Sequence, residues 1–140
     1  MSRLIAKAME IALDAHKGQK DKGGFPYILH PLTVASKQET ENCIIVALLH
    51  DVVEDSGYTL EDLRAAGFAD EVCDAIDLLT HKQGEDYFSY IHKIKTNEIA
   101  KSVKVQDLRH NSDTSRLATV TEKDERRVEK YRKALDILMG

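Results

Sequence analysis

Apolar residues recur at helical spacing through most of the chain, and no stretch alternates apolar and polar residues as a strand would. The first helical pattern places Leu4, Ala8, Ile11 and Ala15 on one face and is followed by Gly18, a typical helix stop. Further helical patterns run from about 41 to 56, 68 to 80, 85 to 96 and 98 to 110, and the last begins at Thr121. The pattern predicts an all-α helical bundle in a single domain covering residues 1–140.

Several helix ends are marked by their residue types. Pro31 suits the first turn of a short helix, and Ser56-Gly57 suits the end of the helix that begins near residue 41. Thr59 and Thr121 are each followed three residues later by an aspartate, which resembles a capping box. The last helix carries one apolar stripe, which favours core packing, with a dimer contact as the alternative. The chain is therefore expected to be a monomer or a homodimer.

Composition narrows the class of protein. Of the 140 residues, 42% are hydrophobic and 31% are charged, an ordinary balance for a soluble domain, and the net charge of −4 argues against a protein that coats nucleic acid. No apolar run approaches the roughly 20 residues that cross a bilayer. We therefore expect a cytoplasmic protein without membrane or nucleic-acid partners. Cys43 and Cys73 form no CxxC pair and are expected to be buried free thiols.

The segment LLHDVVEDSGYT, residues 48–59, places acidic groups beside an apolar stripe. Asp51, Glu54 and Asp55 are three and four residues apart, so they would share one face of a helix. Carboxylates at that distance repel one another, and partial burial makes their ionisation costlier. A divalent metal ion would offset both effects. From this segment alone, a solvated acidic helix end remains an equal alternative, although acidic groups oppose the dipole of a helix C-terminus.

Two other segments supply further metal-binding side chains. PYILHP holds His30 between two prolines, and VKVQDLRHNSD places Asp107 on a helical pattern. With His50 and Asp51 they make a set of two imidazoles and two carboxylates. Such a mixed nitrogen and oxygen set suits one Mn, Fe, Zn or Co ion, and suits Ca or a thiolate zinc site less. Four protein ligands leave open positions, where a metal makes water nucleophilic near neutral pH.

The ordered H…HD…D pattern resembles the HD superfamily of metal-dependent phosphohydrolases. The stretches AHKGQKDKGGFPYILHPLTVA, ALLHDVVEDS and VKVQDLRHNSD resemble, in order, successive motifs in the hydrolase domain of the RelA/SpoT alarmone enzymes and their small stand-alone relatives, over roughly residues 1–117. The resemblance implies an HD-type all-helical fold, one divalent ion of the Mn(II) type and a nucleotide substrate. The implied reaction, part of the stringent response, removes the 3′-diphosphate from guanosine tetra- or pentaphosphate.

The resemblance also assigns roles to residues of this chain. The implied metal ligands are His30, His50, Asp51 and Asp107, and the implied catalytic pair, for water activation and proton transfer, is Glu54 and Asp55. Residues implied to contact substrate are Lys22, Tyr27, Thr80 and Asn111. Because phosphates need cations and arginine binds them in bidentate fashion, Arg109 and Arg116 are added as candidate phosphate contacts, with Arg116 preferred. His16 is expected to be a packed histidine with a satisfied ring.

Two departures from the family pattern bear on substrate choice. The family carries an arginine that packs on guanine in the loop before G-x-P-Y, where this chain has Asp21, and the family's D-R-L-H-N run becomes D-L-R-H-N at residues 107–111. Another nucleotide or phosphate ester is therefore an alternative substrate. A non-catalytic module that senses nucleotide is a second alternative function.

Overall fold

The helical pattern of the sequence is matched by an all-α structure. The computed structural model describes residues 2–115 and 117–140, so the phosphate contact predicted for Arg116 lies outside the described residues. The helices are α1 (Arg3–Ala15), α2 (Leu29–Ser36), α3 (Glu41–Leu49), α4 (Val52–Asp55), α5 (Leu60–Ala65), α6 (Asp70–Leu79), α7 (Tyr87–Lys95), α8 (Glu98–Asn111) and α9 (Glu122–Met139). Across the described ranges there is no strand, only an isolated bridge between Lys20 and Pro26.

Both predicted capping boxes are present. The Thr59 hydroxyl accepts from the Asp62 N–H at 3.1 Å, and the Asp62 carboxylate accepts from the Thr59 N–H at 2.9 Å. Thr121 and Asp124 make the same reciprocal pair at 3.2 and 3.0 Å. Each cap satisfies backbone donors that have no partner inside the helix, which contributes about 1 kcal/mol. These caps fix where α5 and α9 begin.

The core is built around α3. Cys43 and the run Ile45–Leu49 are buried, because α3 packs against α1, α2, α6 and α8 on all sides. A helix that is apolar all round is a central helix, and each fully buried Val, Leu or Ile contributes about 1.5–3 kcal/mol. The stripe of α9 packs on α7 and α8, burying Ala134 and Leu138, so core packing explains it. The fold prediction of a single-domain all-α bundle is confirmed.

The single helix predicted from residue 41 to 56 is wrong, because the structure breaks it at residues 50–51 into α3 and α4. The His50 ring donates from Nδ1 to the Ala47 carbonyl at 2.6 Å. That carbonyl is the acceptor that the Asp51 N–H would use in a continuous helix. The Asp51 carbonyl still accepts from the Asp55 N–H at 2.9 Å, which restarts the helix. The break turns two consecutive side chains toward one point.

Pro31 was predicted to suit the first turn of a short helix, and the structure confirms this, with the helix beginning two residues before it. The helix begins at Leu29, which places Pro31 within its first turn. Proline is tolerated there because N–H groups of the first turn have no intrahelical acceptor. The earlier start puts His30 on the helix itself.

Two further expectations can be compared with the structure. Cys43 and Cys73 are free and buried, as predicted. Within the part of the chain that the structure describes, no helix has the length and apolar character needed to cross a membrane.

Candidate metal centre and adjoining cavities

Four side chains that could hold a metal ion converge from three parts of the fold. His30 comes from α2, His50 and Asp51 from the break between α3 and α4, and Asp107 from α8. One ligand atom of each lies within 4.8 Å of the others. His30 Nε2 is 2.7 Å from Asp107 Oδ1, and His50 Nε2 is 3.1 Å from Asp51 Oδ2. The structure therefore brings the predicted His₂Asp₂ set together.

The two imidazoles are oriented by their other ring nitrogens. His50 Nδ1 is bonded to the Ala47 carbonyl, so Nδ1 carries a proton and Nε2 faces the cluster. His30 Nδ1 is 2.7 Å from His110 Nδ1, and the two rings stack with centroids 4.9 Å apart. Histidines that bind metals usually donate their second N–H to a fixed acceptor in this way. Both rings thus offer the nitrogen that a metal would need.

The two carboxylates are held by polar neighbours outside the cluster. Tyr27 Oη donates to Asp51 Oδ2 at 2.5 Å, and burial followed by the Asp51 charge raises the pKa of this tyrosine, which keeps it a donor. Lys104 Nζ donates to Asp107 Oδ2 at 2.9 Å, and Asn111 Nδ2 donates to Asp107 Oδ1 at 3.1 Å. These bonds leave each aspartate one fixed orientation toward the centre.

Charge in the cluster favours ionised aspartates. Burial alone would raise the pKa of Asp107, but the Lys104 ammonium and the two imidazoles hold it well below the usual range. Burial likewise opposes ionisation of Asp51, yet His50 lowers its pKa to about 2. Burial would lower the pKa of His50, but the Asp51 carboxylate raises it well above its ordinary value. A divalent cation would replace these protons, since metal binding releases protons from its ligands. The donor set fits such an ion.

Glu54 and Asp55 lie beside the cluster on α4. Burial, and next the Asp51 charge, raises the pKa of both carboxyls above the ordinary range. Glu54 Oε1 accepts from the His81 backbone N–H at 3.0 Å, which fixes its position. The Asp55 carbonyl accepts from Gln19 Nε2 at 3.0 Å, which ties α4 to the loop after α1. Two carboxyls beside the cluster with raised pKa values suit proton transfer.

Two cavities adjoin the cluster and share the Asn111 and Tyr131 side chains as a common wall. We call the first the loop cavity; it has a volume of about 230 Å³ and is lined by Asp21, Lys22, Gly23, Asn111, Asp113, Leu117, Arg127 and Tyr131. We call the second the tyrosine cavity; it also has a volume of about 230 Å³ and is lined by Glu54, His81, Tyr87, Tyr90, Lys104, Asp107, Leu108, Asn111, Lys130 and Tyr131.

The predicted substrate residues fall in different places. Lys22 and Asn111 line the loop cavity, as a substrate contact requires. The Tyr27 hydroxyl instead donates a hydrogen bond to Asp51. The Thr80 hydroxyl donates to the Ile76 carbonyl at the end of α6 and lines neither cavity. Arg109 is exposed on α8, two residues from Asp107, and also lines neither cavity. A spacing of two residues points these side chains to nearly opposite faces of a helix.

Several cavity residues lie outside the set predicted to contact substrate. Lys104 lies three residues before Asp107, and this spacing places both on one face, so the sequence carried a signal for it. Tyr87 is on α7, whereas Arg127, Lys130 and Tyr131 are on α9. Only the packing of α9 against α7 and α8 brings them to the cavities, and helical periodicity carries no signal for that packing.

His16 is packed, as expected, but its ring is only half satisfied. It is 2% exposed, and its Nδ1 donates to Gln19 Oε1 at 2.8 Å. The buried Nε2 has no hydrogen-bond partner within residues 2–115 and 117–140. The ring lies against Tyr27, with centroids 4.9 Å apart, which places His16 behind a residue that holds Asp51. It supports the cluster from outside.

Sequence comparison finds relatives that are much longer than this chain. A probable GTP pyrophosphokinase of Mycobacterium leprae is 32% identical over 148 aligned positions, covering 96% of this chain and 18% of the relative. A guanosine-3′,5′-bis(diphosphate) 3′-pyrophosphohydrolase of Haemophilus influenzae is 44% identical over 71 positions, covering 48% of this chain and 10% of the relative. No family model matches the chain. The chain thus spans less than a fifth of each of these relatives.

Structure comparison covers the whole chain. The fold matches, with a TM-score of 0.79 and 24% sequence identity, a metazoan ortholog of SpoT described as hydrolyzing ppGpp and playing a role in starvation responses. The match covers 100% of this chain and 88% of the other. The likeness shows the fold, and the sequence relatives point to the same group of proteins. In sequence and in fold, the chain therefore resembles an HD-type, RelA/SpoT hydrolase-like domain.

Proposed function

We propose that this chain is a metal-dependent phosphohydrolase that releases pyrophosphate from the 3′ position of guanosine tetra- or pentaphosphate. The observation that carries the proposal is the convergence of His30, His50, Asp51 and Asp107 beside two carboxyls with raised pKa values. Relatives named for this hydrolysis, and a structural match described as hydrolyzing ppGpp, support the same substrate. The same group includes proteins named as pyrophosphokinases, but this chain covers only a small part of them.

The four ligands would hold one divalent ion, and we propose Mn(II), with Fe, Co or Zn as ions that the same donors accept. When bound, such an ion polarises a phosphoryl oxygen and makes a water more nucleophilic. Glu54 and Asp55 act as general acid and base, because raised pKa values bring a carboxyl closer to the working pH. The His81 N–H keeps Glu54 in place while the proton moves.

The loop cavity supplies charge for the rest of the nucleotide. Lys22 and Arg127 both line it, and burial followed by the Arg127 charge lowers the pKa of Lys22. Two neighbouring cations repel each other, and an anion bound between them would offset that repulsion. Arg127 also pairs with Asp124 at 2.7 Å, which holds its guanidinium at the cavity wall. Phosphate oxygens of the substrate are the fitting anion.

Product analysis tests the proposal. The purified protein is incubated with Mn(II) and guanosine tetraphosphate, beside Glu54→Gln and the matched control Glu61→Gln on the exposed surface of α5. We expect guanosine diphosphate and pyrophosphate from the wild type and the control, and a loss of at least about 100-fold in Glu54→Gln. Full turnover by Glu54→Gln would contradict the proposed role of Glu54 in proton transfer. Stabilisation by the nucleotide without product would favour the sensor alternative.

A second substrate class is favoured by Asp21. Its carboxylate accepts from the Gly23 and Phe25 N–H groups at 2.9 and 3.0 Å, and it lines the loop cavity next to Lys22. A carboxylate therefore stands in the cavity where the resemblance leads one to expect a base-stacking arginine. A screen of guanine and non-guanine nucleotides decides between the two: preference for a non-guanine nucleotide supports another phosphate ester, and strict preference for the guanosine 3′-diphosphate removes it.

A further inference from the structure

The tyrosine cavity has a wall on which the Tyr87 and Lys130 side chains take no part in holding the candidate metal ligands. Glu54 and Asp107 lie on the side of the cavity that faces the cluster, whereas Tyr87, Lys104 and Lys130 line it from α7, α8 and α9. The cavity meets the loop cavity at Asn111 and Tyr131, so a single extended ligand could reach both. Its second wall is rich in hydrogen-bond donors.

The Tyr87 hydroxyl is buried and unpaired. Its oxygen is shielded from solvent and has no hydrogen-bond partner among the residues that the structure describes. Burying a hydroxyl without a partner costs free energy, so such a group calls for an explanation. Burial raises the pKa of Tyr87 to about 12, which keeps the hydroxyl a donor at neutral pH. A ligand that accepts hydrogen bonds would satisfy it.

Two ammonium groups accompany that hydroxyl. Lys104 Nζ gives one N–H to Asp107 and lies 5.3 Å from the centroid of the Tyr90 ring. An ammonium has three donors, and the bond to Asp107 uses one of them. Lys130 Nζ lies 4.0 Å from the centroid of the Tyr87 ring and makes no ion pair with residues 2–115 or 117–140. Two positive charges thus lie in the same cavity as the unpaired Tyr87 hydroxyl.

We infer that the tyrosine cavity is a subsite for a diphosphate, bound by the Tyr87 hydroxyl and by the Lys104 and Lys130 ammonium groups. The inference rests on the proposed function and assigns the two ends of its substrate. The 3′-diphosphate enters the tyrosine cavity, and the nucleoside with its 5′-phosphates lies in the loop cavity. Oxygen-rich anions accept several hydrogen bonds at once, as this wall requires.

The reaction balances with this placement. The water oxygen forms a bond to the phosphorus next to the 3′-oxygen, and the bond from that phosphorus to the 3′-oxygen breaks. The 3′-oxygen leaves with the electron pair and takes a proton, which gives a hydroxyl, while pyrophosphate carries the new oxygen. The water proton passes to Glu54 or Asp55. Pyrophosphate is then the species held by Tyr87 and the two lysines until it leaves.

Calorimetric titration with inorganic pyrophosphate tests the subsite directly. The Mn(II)-loaded protein is compared with Tyr87→Phe, which removes only the hydroxyl, and with Lys130→Gln. Matched controls are Tyr58→Phe, whose hydroxyl is bonded to Asp14 on the exposed surface, and Lys133→Gln, which lies on α9 outside both cavities. Inorganic phosphate is titrated in parallel. Circular dichroism checks that each variant is folded.

We expect pyrophosphate to bind more tightly than phosphate, and both cavity variants to weaken it by about tenfold, a loss typical for a hydrogen bond to a charged group. The two controls should bind as the wild type does. Equal affinity in all five proteins, or no binding by the wild type, would overturn the subsite. Hydrolysis of guanosine tetraphosphate is measured separately. If pyrophosphate binding depends on Tyr87 but no hydrolysis occurs, only the proposed function is refuted. If hydrolysis occurs but pyrophosphate binding does not depend on Tyr87, only the subsite is refuted.

Discussion

The contact between two imidazoles sets the orientation of one candidate metal ligand. His110 Nδ1 lies 2.7 Å from His30 Nδ1, and the stacked rings prevent rotation of His30. The geometry gives His110 a positioning role, since it touches a ligand and neither cavity is lined by it.

Replacement of His110 should therefore weaken metal binding. His110→Ala removes the acceptor for His30 Nδ1–H, and losses of this kind cost about 10- to 100-fold in metal affinity. Competition with a chromophoric chelator measures the change. His92→Ala, at an exposed position of α7, is the matched control and should keep the wild-type affinity. An unchanged affinity in His110→Ala would remove the positioning role.

Glu54 illustrates a conflict between stability and chemistry at a single residue. Its pKa is raised in the folded protein, first by burial and then by the Asp51 charge. The folded state then binds a proton more readily than the unfolded state does, so ionised Glu54 lowers stability at pH above its folded pKa. That penalty shrinks as the pH falls through the folded pKa and is gone below the pKa of the unfolded state.

Glu54→Gln should remove this penalty while abolishing turnover. A glutamine keeps an oxygen that can accept from the His81 N–H but carries no charge. At pH 7 and without metal, the thermal midpoint should stay level or rise, by about 2–4 °C for each kcal/mol relieved. At a pH below the raised pKa, the difference from wild type should shrink. Differential scanning calorimetry at both pH values provides the measurement, and a clearly lower midpoint at pH 7 would contradict it.

Among the helices, the sequence predicts positions better than it predicts their junctions. The patterns at 68–80, 85–96 and 98–110 correspond to α6, α7 and α8 because each has one periodic apolar face. The break between α3 and α4 was not predictable from periodicity, because it coincides with a side-chain bond from His50 to the Ala47 carbonyl, which periodicity does not register. The motif includes all four candidate ligands, whereas the positions of Tyr87 and Lys130 depend on how α7 and α9 pack against each other.

The start of α9 matters because this helix brings Arg127, Lys130 and Tyr131 to the cavities. Thr121→Ala removes the side-chain acceptor of the Asp124 N–H. The free energy of unfolding should fall by about 1 kcal/mol, as for other lost N-caps. Urea unfolding of this variant and of Thr119→Ala, an exposed threonine just before the cap, measures it. Equal losses in both variants would mean that the cap contributes nothing specific.

At the scale of the whole molecule, the candidate metal centre ties together separate parts of the core. The centre joins α2, the break between α3 and α4, and α8, and three of its four side chains, His30, His50 and Asp107, are buried. Burying two carboxylates and two imidazoles is costly unless a counter-charge is close. Protons and Lys104 provide part of that charge in the metal-free protein. A divalent ion would provide more and would join three parts of the fold.

Metal removal should therefore destabilise the whole protein and not only the site. A ligand that binds the folded state alone adds about 2.7 kcal/mol when its free concentration is 100 times its Kd. Thermal unfolding with Mn(II), and after treatment with a chelator, should show this difference across the whole helical signal. Asp51→Asn keeps the shape of a ligand but loses its charge, so its response to Mn(II) should shrink sharply. Asp74→Asn, exposed on α6, should respond like the wild type. A response to Mn(II) that is equal in both variants would place the ion elsewhere than at His30, His50, Asp51 and Asp107.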